Sequence, residues 1–172
     1  MKLAHPLHGQ QITIRNCCSA DLPFLTQMWF DEENGKYLSD PTADYVDAEF
    51  RAALDAIPDS PMGYYLLLEL PDGCPVGSFC MFPEDNGRSY DIGYCIHRSY
   101  WRHGYAAEAL MLLLGWLREQ GAERVTAEVA VENLASTSLL RKFGFTPQRQ
   151  SRFQKYHMEI HYDSCIYART LP

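Results

Sequence analysis

The sequence predicts a single α/β domain built on one mixed sheet, antiparallel in its first half and parallel at its centre. Three observations carry this expectation. Extended segments in the first half are joined by the hairpin tripeptides Pro71-Asp72-Gly73 and Asp85-Asn86-Gly87. Ala106, Ala109, Leu110, Leu113, Leu114 and Leu117 recur at three- and four-residue steps, which marks a helix. That helix lies between two extended segments, and a helical crossover makes its flanking strands parallel neighbours. The 172 residues, 47% hydrophobic, suffice for one core over residues 1–172, and no linker, repeat or low-complexity stretch divides them. About seven strands and about four helices are expected.

Taken in order, a first strand is expected over residues 11–15, a helix over 21–30 and a second helix over 45–56. A meander follows, with strands over 64–70, 76–82 and 89–97. The central helix begins near His103 and stops at Gly121. Beyond it Val125, Ala127, Val129 and Val131 alternate with Thr126, Glu128, Ala130 and Glu132, the pattern of a strand. Asn133 ends that strand. Ser136, Leu139, Leu140 and Phe143 then lie along a short helix closed by Gly144, and Phe145 enters the next extended segment. Residues 153–156 and 165–168 are expected to pair as a terminal hairpin.

The turn ahead of the central helix is the part that carries chemistry. At a helix N-terminus several backbone amides lack intrahelical partners and the positive dipole end faces outward, so a pyrophosphate can accept several hydrogen bonds there. Gly104 lets the backbone come close. Arg98, Arg102 and His103 add positive charge locally in a chain whose formal net charge is -7.

Strand, cradle, helix, strand, Asn, short helix and Gly-Phe together resemble the GNAT acetyltransferase superfamily, in particular its ribosomal-protein-alanine acetyltransferase branch, RimJ/RimL-like. The family's acyl-CoA loop is written Gln/Arg-x-x-Gly-x-Gly/Ala. Gly104 and Ala106 fall on its last two fixed positions and Trp101 on its first, while Arg102 stands where this branch usually has a glycine. The second family element, Asn-x-x-Ser/Ala before a helix and Gly-Phe, is matched by Asn133, Ser136, Gly144 and Phe145. Residues 12–15 with Asp21-Leu22, and residues 162–168, extend the likeness toward both ends. The resemblance implies an acetyl-CoA-dependent N-acetyltransferase acting by direct transfer in a ternary complex. It places acetyl-CoA on Ile96, Trp101, Arg102, His103, Gly104, Tyr105, Ala106 and Ala107, with Asn133 supporting the pantetheine arm.

Transfer to an amine requires a neutral nucleophile, a polarised carbonyl and a proton for the departing thiolate. Asp91 stands where the resemblance puts a carboxylate base. A free Asp at about 3.9 is a poor base, so burial or a water chain is required. A solvent-facing strand position or a charge pair with Arg88 is the competing role. Glu128 and Glu132, on one alternating face, are reserves for the base or for binding a cationic substrate. The resemblance implies that the carbonyl partner is a backbone N–H around Ile96, left unpaired where this strand and the next diverge. Many family members carry a tyrosine acid seven residues after the Asn; that position is Leu140 here. Ser136 is the expected proton donor, with helix capping as its alternative. Cys95 is a conceivable acyl carrier, with direct transfer the simpler scheme.

Composition narrows the partners. A chain with pI near 5.3 repels nucleic acid away from a local patch. No stretch approaches the ~20 apolar residues of a membrane span, and the first residues lack a signal-peptide run, so a cytoplasmic protein, monomer or homodimer, is expected. The six cysteines lack paired spacing and read as reduced thiols. No metal is expected: His5 with His8, and His157 with His161, have no companion ligands in sequence and read as mobile tail and surface strand. No Gly-x-x-x-x-Gly-Lys-Ser/Thr is present, which disfavours a nucleotide-binding kinase. A non-catalytic CoA-binding sensor on the same fold is the alternative function. Trp29, Phe30, Tyr37 and Tyr45 lie where the resembling fold walls its acceptor cleft.

Overall fold

The computed structural model describes residues 1–172. Eight strands form one sheet: β1 (Leu7–His8), β2 (Thr13–Asn16), β3 (Tyr64–Glu69), β4 (Pro75–Glu84), β5 (Ser89–Ile96), β6 (Arg124–Ala130), β7 (Thr146–Gln154) and β8 (His161–Thr170). Their spatial order is β1-β2-β3-β4-β5-β6-β8-β7. Every neighbouring pair is antiparallel except β5 with β6. Four α-helices accompany it: α1 (Leu22–Phe30), α2 (Ala48–Ala56), α3 (Tyr105–Glu119) and α4 (Leu134–Lys142).

Strand alternation sends side chains to two cores. Leu66, Phe79, Met81 and Ile92 bury against Leu110, Leu113 and Leu117 of α3 and Leu140 of α4. On the other face Leu67 and Cys95 meet Leu25 and Met28 of α1. The long apolar stripe of α3 makes the first core the larger, at roughly 1.5–3 kcal/mol for each buried large apolar side chain.

The first half follows the expected order with shifted ends. The α2 helix begins at Ala48 because the Asp47 carboxylate caps it, accepting from the Phe50 amide at 2.8 Å; residues 43–45 form a separate 3₁₀ turn. The N-terminal tail is not free. Leu3 is buried and Asn16 brackets its backbone, accepting from the Leu3 amide at 2.8 Å and donating to its carbonyl at 2.9 Å. The two-residue β1 is too short to leave a periodic signal, so eight strands replace the expected seven.

The terminal hairpin is also longer than expected. β7 starts at Thr146, and its solvent-facing Gln, Arg and Ser residues erase the apolar alternation that would have marked it. Residues 155 and 156 lie past its end.

The feature that positions the site is a fork. β5 and β6 pair only through Ser89↔Arg124, Tyr90↔Val125 and Asp91↔Thr126. Beyond that point β5 stays with β4 to Gly77↔Ile96, and β6 follows β8 to Ala130↔Ser164. A gap opens between residues 92–96 and 127–130.

Candidate active site

The cradle lies at one mouth of the fork. After β5 the chain makes a 3₁₀ turn over Arg98–Tyr100, then takes left-handed backbone at Arg102 (φ 66°) and Gly104 (φ 87°) before α3 begins. Consecutive amides from Arg102 to Ala107 donate to no acceptor in the protein, and the first bond back into the turn is Glu108 N–H to the Gly104 carbonyl at 3.0 Å. They form a row of donors at the positive end of α3, a fit to a diphosphate. A Cβ on Gly104 would meet nothing nearer than the Gln11 side-chain amide at 3.9 Å, so glycine is required for its φ and not for room. Arg102, which stands where the family usually has a glycine, adopts the left-handed conformation that a glycine takes at lower cost.

The other cradle side chains divide in role. The Trp101 indole N–H donates to the Ile96 carbonyl at 2.7 Å, tying the turn back to β5. His103 bonds the Trp101 carbonyl at 2.9 Å and stacks on Tyr105. Arg98 does not serve the cradle: Glu33 holds its guanidinium at 2.7 Å and Asp31 stands at 3.8 Å. Arg102 makes no ion pair.

Asp91 sits at the last paired position before the strands part. Burial raises its pKa to about 6, and the Thr126 hydroxyl, donating at 2.9 Å, works against that rise. Arg88 pairs instead with Glu123 at 2.7 Å, which removes the competing charge pair. Asp91 opens on a cavity of about 500 Å³ lined largely by apolar and aromatic residues of α1, α2, β3, β4 and β5. Trp29 and Tyr37 line it; Phe30 and Tyr45 do not. Glu128 reaches its wall and accepts from the Ser164 hydroxyl. Glu132 lies past the end of β6, off the alternating face it was expected to share.

Asn133 caps α4, its side-chain oxygen accepting from the Ser136 amide at 3.1 Å. Ser136 therefore receives the cap through its backbone and leaves its hydroxyl free to meet the Tyr94 phenol at 2.7 Å. Sequence reasoning missed Tyr94. Burial pushes its pKa up to about 12, with the Ser136 bond opposing, and it lines the same cavity as Asp91 from the opposite face of β5. Only the gap makes both accessible to one reactant. Leu140 is fully buried in the core.

Antiparallel alternation settles where the β5 amides point. The His97 amide bonds the Val76 carbonyl at 2.9 Å, and Pro83, which has no N–H, stands opposite Tyr90. The amides of Tyr94 and Ile96 thus turn away from β4 toward the gap. Cys95 faces the other way. Its thiol, pushed up to about 12 by burial, accepts from the Asn34 side chain at 3.1 Å and is no nucleophile near neutrality. Asn34, also unforeseen, donates to the Ile96 carbonyl at 3.2 Å and accepts from the Arg98 amide. Its contacts lie more than sixty residues away, so no local pattern marks it.

An acetyltransferase (GNAT) domain description matches residues 11–146, most of the chain, spanning both the fork and the cradle. The chain belongs to the GNAT acetyltransferase family. The uncharacterized N-acetyltransferase p20 of Bacillus licheniformis is 28% identical over 158 residues, covering 87% of this chain and 86% of that protein. A Salmonella typhimurium acetyltransferase that modifies the N-terminal serine of ribosomal protein L7/L12 shares the fold with a TM-score of 0.79 at 18% identity, covering 98% of this chain and 100% of its own. Spermidine N-acetyltransferase from Vibrio cholerae, solved with CoA and spermine, gives 0.78 at 17%, covering 94% and 96%. The GNAT fold accounts for the fork, and this GNAT chain is an N-acetyltransferase by descent.

Proposed function

We propose that the chain moves the acetyl group of acetyl-CoA directly to a primary amine within one ternary complex. The observation that carries this is the fork itself: β5 has a carboxylate with a pKa of about 6 at its last position paired with β6, then amides facing the gap, and it leads directly into a donor row suited to a diphosphate. Acetyl-CoA supplies the thioester when bound. The chain's residues do the rest.

The Arg102–Ala107 amides hold the diphosphate, Trp101 braces that turn, and Asn133 keeps the start of α4 beside the gap. The amides of Tyr94 and Ile96 donate to the carbonyl oxygen and stabilise the charge that develops there. Asp91, directly or through a water, takes the ammonium proton. The new bond is N–C, the broken bond is C–S, and the departing sulfur receives its proton from Tyr94, which Ser136 orients. Holding amine and thioester together supplies much of the acceleration.

The two solved structures act on a peptide N-terminus and on a polyamine, both primary amines, which supports this acceptor class. The experiment is acetyl-CoA consumption across pools of peptides and small amines, repeated with Asp91→Asn. Turnover with at least one pool, cut strongly by the substitution while cofactor affinity is kept, is expected. Tight cofactor binding with no turnover on any amine would make the chain a sensor.

A further inference from the structure

The cavity that opens from Asp91 has three acidic side chains on its wall, Asp40, Asp91 and Glu128, and no lysine, arginine or histidine. The Asp40 side chain receives no hydrogen bond from another residue; burial raises its pKa, opposed by its own amide and by Lys155. Lys155 is spent elsewhere, donating to the carbonyls of Gly35, Leu38 and Asp40 at 2.8, 2.9 and 2.9 Å. Lys36 lies over the Tyr37 ring, outside the lining. Asp40 lines the cavity together with Cys80. Glu128 has only a neutral partner, the Ser164 hydroxyl.

Carboxylates facing an apolar, aromatic space are costly until a cation joins them. The reacting amine cannot serve, because it hands its proton to Asp91 and attacks as a neutral group. A second positive charge on the same molecule can. A carboxylate on the acceptor would stand among like charges without a partner. The ring faces of Trp29, Tyr37 and Phe50 suit an alkyl stem and its ammonium.

We propose that the acceptor is a primary amine with a second cationic centre on an aliphatic stem and no carboxylate, an α,ω-diamine or polyamine, whose far ammonium pairs with Asp40. This rests on the acetyl-transfer reading above. The test compares three molecules that differ by one charged group: 1,5-diaminopentane, pentylamine and lysine, as acceptors at about pH 8. The diamine is expected to exceed both others in kcat/KM by about tenfold or more, one ion pair's worth of discrimination. Asp40→Asn is expected to bring the diamine-to-pentylamine ratio close to one. Equal rates for pentylamine or lysine, a ratio unmoved by Asp40→Asn, or acetylation of peptide N-termini alone would overturn the proposal while leaving acetyl transfer standing. No acetyl-CoA consumption with any amine or peptide would instead overturn the transfer reading and this proposal with it.

Discussion

Burial holds Asp91 in a state that costs stability once it is ionised. Its proton is lost near pH 4 in the unfolded chain and near about 6 in the folded one. Between those values the folded state binds the extra proton, so the group's contribution to stability falls as pH rises, and above about 6 the full penalty remains. Asp91→Asn is expected to lower turnover by roughly 10²–10⁴-fold. The same change should raise unfolding free energy at alkaline pH by up to about 2 kcal/mol, read by denaturant titration, with the gain absent below about pH 4. In the parent, kcat/KM should climb with pH through about 6 and then level. The Tyr94–Ser136 pair gives a second test: Tyr94→Phe should reduce kcat more than Ser136→Ala, and the reverse order would make the serine the proton donor. Asp91 was legible as a candidate because the resemblance places a carboxylate on the strand that leads to the cradle. Tyr94 was not, since it points to the other face of that strand and its partner Ser136 lies 42 residues further along the chain.

Elements matter here for where their hydrogen bonds stop. Strand β5 leaves the amides of Tyr94 and Ile96 facing the gap, so hydrogen exchange followed by NMR should find them faster than those of Gly93 and Cys95, which bond β4. Acetyl-CoA should slow them selectively. The segment over residues 31–40, which walls the cavity without regular structure, is pinned by Asn34 to β5 and by Lys155 beyond β7. Lys155→Met would strand three buried or half-buried carbonyls; a loss of about 3 kcal/mol and a higher KM for the amine, with KM for acetyl-CoA little changed, is the expected outcome. The meander and α3 could be read from turn tripeptides and period. β1, the early start of β7 and both pins could not, because two residues show no period, a solvent-facing strand shows no alternation, and side-chain bonds across the chain leave no local trace.

For the molecule as a whole, the fork is the narrow joint. Direct pairing between the two halves of the sheet is limited to Ser89–Asp91 against Arg124–Thr126, and the α3 core bridges the rest. A ligand seated in the gap therefore stabilises both halves together. Acetyl-CoA at about 100 times its Kd should add about 2.7 kcal/mol to unfolding, measurable as a thermal shift. Gly104→Glu should abolish most of that shift through backbone strain at φ 87° and a carboxylate beside the diphosphate, although its Cβ clashes with no protein atom.

What the sequence determined by itself is the family, the central strand–cradle–helix unit and the candidate base. These rest on residues close together in the chain, where turn chemistry, helical period and motif spacing are all local. The tertiary structure alone decided that β8 inserts between β6 and β7, that the divergence of β5 and β6 starts right after Asp91, that Tyr94 meets Ser136, and that Asp40 and Asp91 line one cavity with no lysine, arginine or histidine on its wall. Each of those depends on segments far apart in sequence being packed side by side, and contact between distant segments is what period and spacing do not encode.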